Sequence, residues 1–174
     1  MRSCVLLAYA AWEVYAEDGV IWAVEQIARR ANPHQLPAAL RGFVAEKVLK
    51  DPWRLAGNSW RETTVQEVRK LAQGDLNGPF GVNTAGPGQI AKLHKKILGE
   101  QLLDKCRWTK KPTKKVKEDL AEFVKIRGSI AHTGQPLGPL HLRGVRDWHN
   151  FLRRLAANLD GHLEAWVAEH VPPD

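Results

Sequence analysis

The end of the chain carries the pattern that most restricts its fold. Val145, Trp148, Leu152, Leu155, Leu159, Leu163 and Trp166 recur three, four, three, four, four and three residues apart. Only an α-helix gathers that spacing onto one face, because a turn takes about 3.6 residues. A long helix with a single apolar stripe must bury it against other helices. The start of the chain supplies one. Val5, Tyr9, Trp12, Ala16, Val20, Ala23 and Ile27 keep the same rhythm until Asn32-Pro33 interrupts it.

Shorter periodic stretches lie between these two. The spacing predicts helices over Leu36–Leu49, closed by Asp51-Pro52, over Trp60–Ala72, closed by Gly74, and over Ile90–Leu98 and Glu100–Cys106. Gly74–Gly88 holds five glycines and two prolines and reads as an extended loop. Trp108–Thr113 reads as a linker, with Thr113 placed to cap a helix that runs to Ala131 and stops at Gly134 and Pro136. Pro172-Pro173 closes the chain. There is no period-two run bounded by turns, no internal repeat and no low-complexity tract. The expected fold is therefore an all-α bundle forming one domain over residues 1–174. Its expected core joins the first helix, the helix ending near Ala131 and the last helix.

With 174 residues and a 44% apolar composition, the chain has enough material for one full core. No apolar run approaches the roughly 20 residues of a membrane span. Met1–Ala11 superficially resembles a short signal sequence, but Trp12, Glu13, Glu17 and Asp18 continue in helical register, so this segment reads as mature structure. Cys4 and Cys106 lie far apart with no ligand pattern beside them, which points to neither a disulfide framework nor a zinc site. A reducing cytoplasm is the expected setting. HExxH, Gly-rich phosphate loops, paired-carboxylate motifs and GxSxG elbows are all missing from the sequence. Neither metal nor cofactor is expected.

The net charge of +7 has one source. Lys92–Lys117 contains ten Lys or Arg against Glu100 and Asp104, a balance of 10 − 2 = +8, and the remainder sums to 16 − 17 = −1. A segment of this kind is either a solvated basic face or a site that attracts a polyanion through phosphate contacts. Arg107, Lys110, Lys111, Lys114 and Lys115 are its candidate nucleic-acid contacts. Trp108 is more readily a packing residue than a base-stacking one.

Within the helix that follows, Val116, Leu120 and Phe123 form an apolar stripe, and Arg127 falls on the next position of that stripe. An arginine in an apolar face must be partnered or working, because an unpaired buried charge is costly. His132 follows five residues later. Spacing alone carries little weight, since Arg29 with His34 and Arg143 with His149 are comparably placed. Five helical residues also rotate His132 about 140° away from Arg127. The two can meet only if the backbone bends at Gly128-Ser129 or if a second copy of the chain completes the site. The plainer alternative is that Arg127 pairs with an internal acid such as Glu13 while His132 merely ends a helix.

Arg127-Gly-Ser-Ile-Ala-His132-Thr-Gly134 resembles the motif of the HEPN superfamily, an arginine and a histidine a few residues apart, commonly followed by a small residue. Ala11–Asp18 in the first helix, Leu98-Gly99, Trp108 and the final amphipathic helix make most of the chain similar to the RiboL-PSP-HEPN branch. The resemblance implies a helical homodimer that brings two motifs into one cleft and cuts RNA without a metal. Ribose 2′-OH attack on the adjacent phosphate would leave a 2′,3′-cyclic phosphate and a 5′-OH end. Under that implication Arg127 and His132 are catalytic, with Ser129 assisting and Glu13 or Glu17 orienting the pair, unless that first-helix acid is a plain salt bridge. Histidine titrates near neutrality and moves protons, while arginine offers a planar donor fork to phosphate oxygens. The same resemblance implies a toxin or defence effector with a cognate antitoxin or another defence-system protein as partner. Many members carry a polar residue, often Asn, directly after the arginine; this chain has Gly128, with Ser129 as the nearest hydroxyl. A catalytically silent HEPN domain that binds nucleic acid or protein is the alternative, and a purely structural dimerisation module is a third.

Overall fold

A computed structural model describes residues 1–74, 84–136, 138 and 140–171 of the chain. Six α-helices and no strand occur among them. In chain order these are α1 (Arg2–Arg30), α2 (Ala38–Lys47), α3 (Ser59–Gln73), α4 (Pro87–Ile97), α5 (Thr113–Thr133) and α6 (Leu142–His170). Short 3-10 turns at Pro33–Gln35, Pro52–Leu55 and Leu102–Lys105 make the corners. The all-α expectation holds.

The first helix is the axis of the bundle. Its N-terminal half buries one narrow stripe (Val5, Tyr9, Trp12, Ala16), whereas its C-terminal half buries Val20, Ile21, Ala23, Val24, Ile27 and Ala28, which spread over an arc of about 160°. The reason is two flanking partners: α3 packs along α1 as extensively as α6 does. The expected core of first helix, Arg127 helix and last helix does form one cluster, but it lacked α3, which covers more of α1 than α5 does. The signal in α3 was weak, since its buried face includes Thr63, Thr64 and Glu67. Glu67 is tolerated there because Arg54 and Lys70 reach its Oε1 at 2.8 and 3.3 Å. Along α6, Leu155, Leu159, Leu163 and Trp166 are buried as their spacing predicts. Helices α1 and α6 approach closely at Gly19, where a β-carbon would lie 3.0 Å from Leu163 Cδ1.

The helix boundaries differ from the sequence expectations in instructive places. Pro87 and Gly88 belong to α4 rather than to the preceding loop, because proline's fixed φ suits the first position of a helix. Thr84–Gly86 is irregular, and residues 75–83 of that expected loop lie outside the described residues, as do Pro172-Pro173. Glu100–Cys106 forms only the 3-10 turn at Leu102–Lys105, entered through Gly99 at φ 81°. Thr113 does not cap α5. It is the first helical residue, and its hydroxyl donates to the Asp104 carbonyl at 3.3 Å. No described helix is long and apolar enough to cross a membrane.

Candidate functional site

Helix α5 positions the motif. It runs unbroken from Thr113 through Gly128 and Ser129 to Thr133, so the backbone bend that could have brought Arg127 and His132 together is not there. Val116, Leu120 and Phe123 are fully buried, Ile130 nearly so, and Arg127 between them is half-buried. His132, Ala131 and Thr133 are exposed. The two motif side chains therefore leave the helix in different directions, one along the seam with α1 and the other into solvent.

The partner of Arg127 is a ring rather than a carboxylate. Its guanidinium carbon lies 4.4 Å from the centre of the Tyr9 ring. The expected alternative, an ion pair with Glu13, does not form; among the described residues Arg127 has no salt bridge. Glu13 instead accepts the Tyr9 hydroxyl at 3.3 Å, one helical turn along α1. The same hydroxyl accepts the Ala85 N–H at 2.8 Å, and Trp12 Nε1 donates to the Ala85 carbonyl at 2.8 Å. Burial raises the Tyr9 phenol above its usual pKa, against the pull of the Ala85 N–H and the Arg127 charge. It stays a neutral phenol. Glu17, a turn beyond Glu13, is raised to about 7 by burial and then by the neighbouring Glu13 and Asp18 charges.

The final turn of α5 is fastened by its own hydroxyls. Ser129 Oγ donates to the Gln135 carbonyl at 2.7 Å, and Thr133 Oγ1 donates to the Ser129 carbonyl at 2.8 Å. Gly134 at φ 68° provides the left-handed residue that ends the helix. Arg2 Nη2 then bonds Gln135 Oε1 at 2.9 Å, tying the start of α1 to this turn. His132 thus sits inside a fastened helix end, with Ser129 serving the turn.

The basic segment lies towards the other end of α5. Lys111 forms an ion pair with Asp119, and Lys115 Nζ meets the same carboxylate at 2.9 Å. Burial alone would raise the Asp119 carboxyl, but the two lysines outweigh it and hold it low. Lys105 pairs with Glu100 at 2.6 Å and Lys117 with Asp104. Arg107, Lys110 and Lys114 are exposed. Trp108 packs against Phe151, with centroids 6.1 Å apart, so its role is structural here. From Lys114 to Arg127 the helix rises roughly 20 Å. The lysines and the motif therefore do not share one patch within a single chain.

Sequence reasoning missed Tyr9 as anything but a stripe residue. The available signal was an aromatic residue four before Glu13 on the helix that packs against α5. It also missed Lys125, His141 and Arg143, which line a cavity of about 550 Å³ between α5 and α6 with Trp148 on its wall. Those side chains lie in a turn and two helices that no sequence spacing connects.

A RiboL-PSP-HEPN family model matches residues 1–165. The chain belongs to the RiboL-PSP-HEPN family. The match runs from α1 through most of α6, so Tyr9, Glu13, Arg127 and His132 all lie inside the HEPN domain. No curated protein and no solved structure matches the chain.

Proposed function

We propose that this HEPN chain is a metal-independent endoribonuclease. The observation that carries the reading is Arg127: a guanidinium in a helical seam, held over a ring and free of carboxylates among the described residues, with an exposed histidine five positions on. A guanidinium held by a ring rather than by a carboxylate keeps N–H groups for phosphate oxygens. In the reaction, the 2′-oxygen bonds to phosphorus as its proton passes to a histidine. The P–O5′ bond breaks, and O5′ takes a proton. Arg127 stabilises the charge that builds on the phosphorane.

One helix cannot supply the whole site. Five residues separate the two side chains by about 140° and roughly 7.5 Å of rise. A homodimer that sets two copies of α5 face to face would complete it, each chain supplying one arginine and one histidine. Exposed Arg107, Lys110 and Lys114 would hold flanking RNA phosphates. We read the activity as that of a toxin or defence effector, acting in the cytoplasm and restrained by a partner protein.

The test is cleavage of single-stranded RNA in excess EDTA by wild type, Arg127→Ala and His132→Ala. Equal rates in all three would defeat the proposal. A second reading, a silent HEPN domain that binds nucleic acid or protein, is favoured by Gly128, which puts no polar group beside Arg127. It predicts salt-sensitive RNA binding with no cleavage by any variant.

A further inference from the structure

We propose that Tyr9 is a positioning residue for Arg127, its ring serving as the platform that aims the guanidinium fork out of the helical seam. This rests on the ribonuclease reading above. An arginine side chain has several freely rotating bonds, and a charge that wanders by an ångström loses much of its value at a reacting phosphate. Something must hold it. An ion pair would do so but would occupy the donors that a phosphate needs. A ring face attracts the cation through the flat side of the guanidinium and leaves its edge free.

The platform is itself immobile. Tyr9 is 1% exposed, and its ring also leans on Phe123, one turn before Arg127 on α5, at 6.2 Å between centroids. Its hydroxyl is held from two sides, by the Ala85 N–H and by the Glu13 carboxylate. Ala85 is gripped in turn at its carbonyl by Trp12. Phenol, backbone and indole thus hold one another, and the ring cannot swing out of its place without breaking a buried hydrogen bond. The arrangement also gives Glu13 a role different from the expected one. It does not touch Arg127; it holds the hydroxyl of the ring on which Arg127 lies.

The two halves of the tyrosine have separable duties, which makes the idea testable. The ring holds Arg127, and the hydroxyl holds the ring to Ala85 and Glu13. Steady-state cleavage of single-stranded RNA in EDTA would compare wild type, Tyr9→Phe, Tyr9→Leu, Tyr9→Met and Arg127→Ala, with circular dichroism and melting as the check on folding. Tyr9→Leu should lose at least about tenfold in kcat with KM held within about threefold, the signature of a misplaced charge at the reacting centre. Tyr9→Phe keeps the ring and should keep kcat within about threefold, while melting at a lower temperature because the Ala85 N–H has lost its partner. Tyr9→Met fills the same space with a flexible apolar chain and should behave as Tyr9→Leu does, which covers the case of a leucine variant that does not fold. Wild-type kcat in a folded Tyr9→Leu or Tyr9→Met, alongside an inactive Arg127→Ala, would overturn the proposal. If wild type itself cleaves no RNA, the ribonuclease reading fails separately. The hold on Arg127 is then read by NMR. Ring-current shifts of its side-chain protons should persist in Tyr9→Phe and vanish in Tyr9→Leu, and resonances unchanged in Tyr9→Leu would again overturn it.

Discussion

The two ends of α5 handle positive charge in opposite ways. At the N-terminal end, Lys111 and Lys115 converge on the buried Asp119 carboxylate and Lys117 meets Asp104, so cations fasten the helix to its surroundings. Towards the C-terminal end, Arg127 rests on a neutral ring and His132 stands in solvent. A carboxylate neutralises a cation and uses its donors; a ring face holds it and leaves them available. On the proposed reading, the reacting phosphate would therefore be met not by the densest basic stretch of the sequence but by a lone arginine on an apolar stripe.

The strongest way to break this contrast is to remove the two motif side chains. Arg127→Ala and His132→Ala should each reduce RNA cleavage by about 10²-fold or more, the scale of losing a charge stabiliser or a proton carrier. Neither should change melting by more than a few degrees. A variant that lost its fold together with its activity would place Arg127 among the structural cations instead.

Acid should separate the fold from the site. His94 is fully buried on α4 with neither ring nitrogen hydrogen-bonded among the described residues, and burial pushes its pKa down to about 4. The unfolded chain takes up that proton first, near pH 6.5. The contribution of His94 to stability is thus complete above about pH 6.5 and is lost as the pH falls towards 4, by about 3 kcal/mol at most. Glu17 has the opposite sign: its raised pKa favours the folded state in acid, and that advantage fades as the pH rises from 4.5 to about 7. The two trends oppose each other, so in denaturation curves between pH 7.5 and 4 His94→Leu should lose less stability in acid than wild type, and Glu17→Gln should lose more.

A smaller effect would sharpen the picture at the lysine end. Asp119→Asn should cost about 1 kcal/mol, since both released lysines can turn into water. It should also strengthen RNA binding at low salt. Conversely, Lys110→Ala and Lys114→Ala should each flatten the salt dependence of RNA binding by about 0.7 in log–log slope, while Lys111→Ala should lower melting instead. Uniform behaviour of all these lysines would erase the difference between the two ends of α5. The smallest expected effect belongs to Gly128→Ala. A β-carbon there meets nothing within 4 Å, and a mid-helix glycine is less favourable than alanine by roughly 0.5–1 kcal/mol. Chemical denaturation should show that gain.

Much of this was written in the order of residues. The 3–4 spacing in Val5–Ile27 and Val145–Trp166 demanded two long helices, and a helix that buries only a stripe demands neighbours, so the all-α bundle followed from the chain alone. The Arg127–His132 motif and its opposed directions were equally legible, because both depend on residues within one helix. The place of α3 was not, since polar side chains cover part of its buried face and become acceptable only when Arg54, Lys70 and the Arg54 carbonyl come to meet them. Nor was the partner of Arg127. Spacing along a chain fixes which way a side chain leaves its own helix, but what it meets there depends on how that helix is set against another. Glu13 and Tyr9 lie on the same helix, four residues apart, and both were available to an arginine from α5. The packing of α1 against α5 chose the ring, because only the tertiary structure brings Tyr9 beneath the guanidinium while turning Glu13 to the phenol.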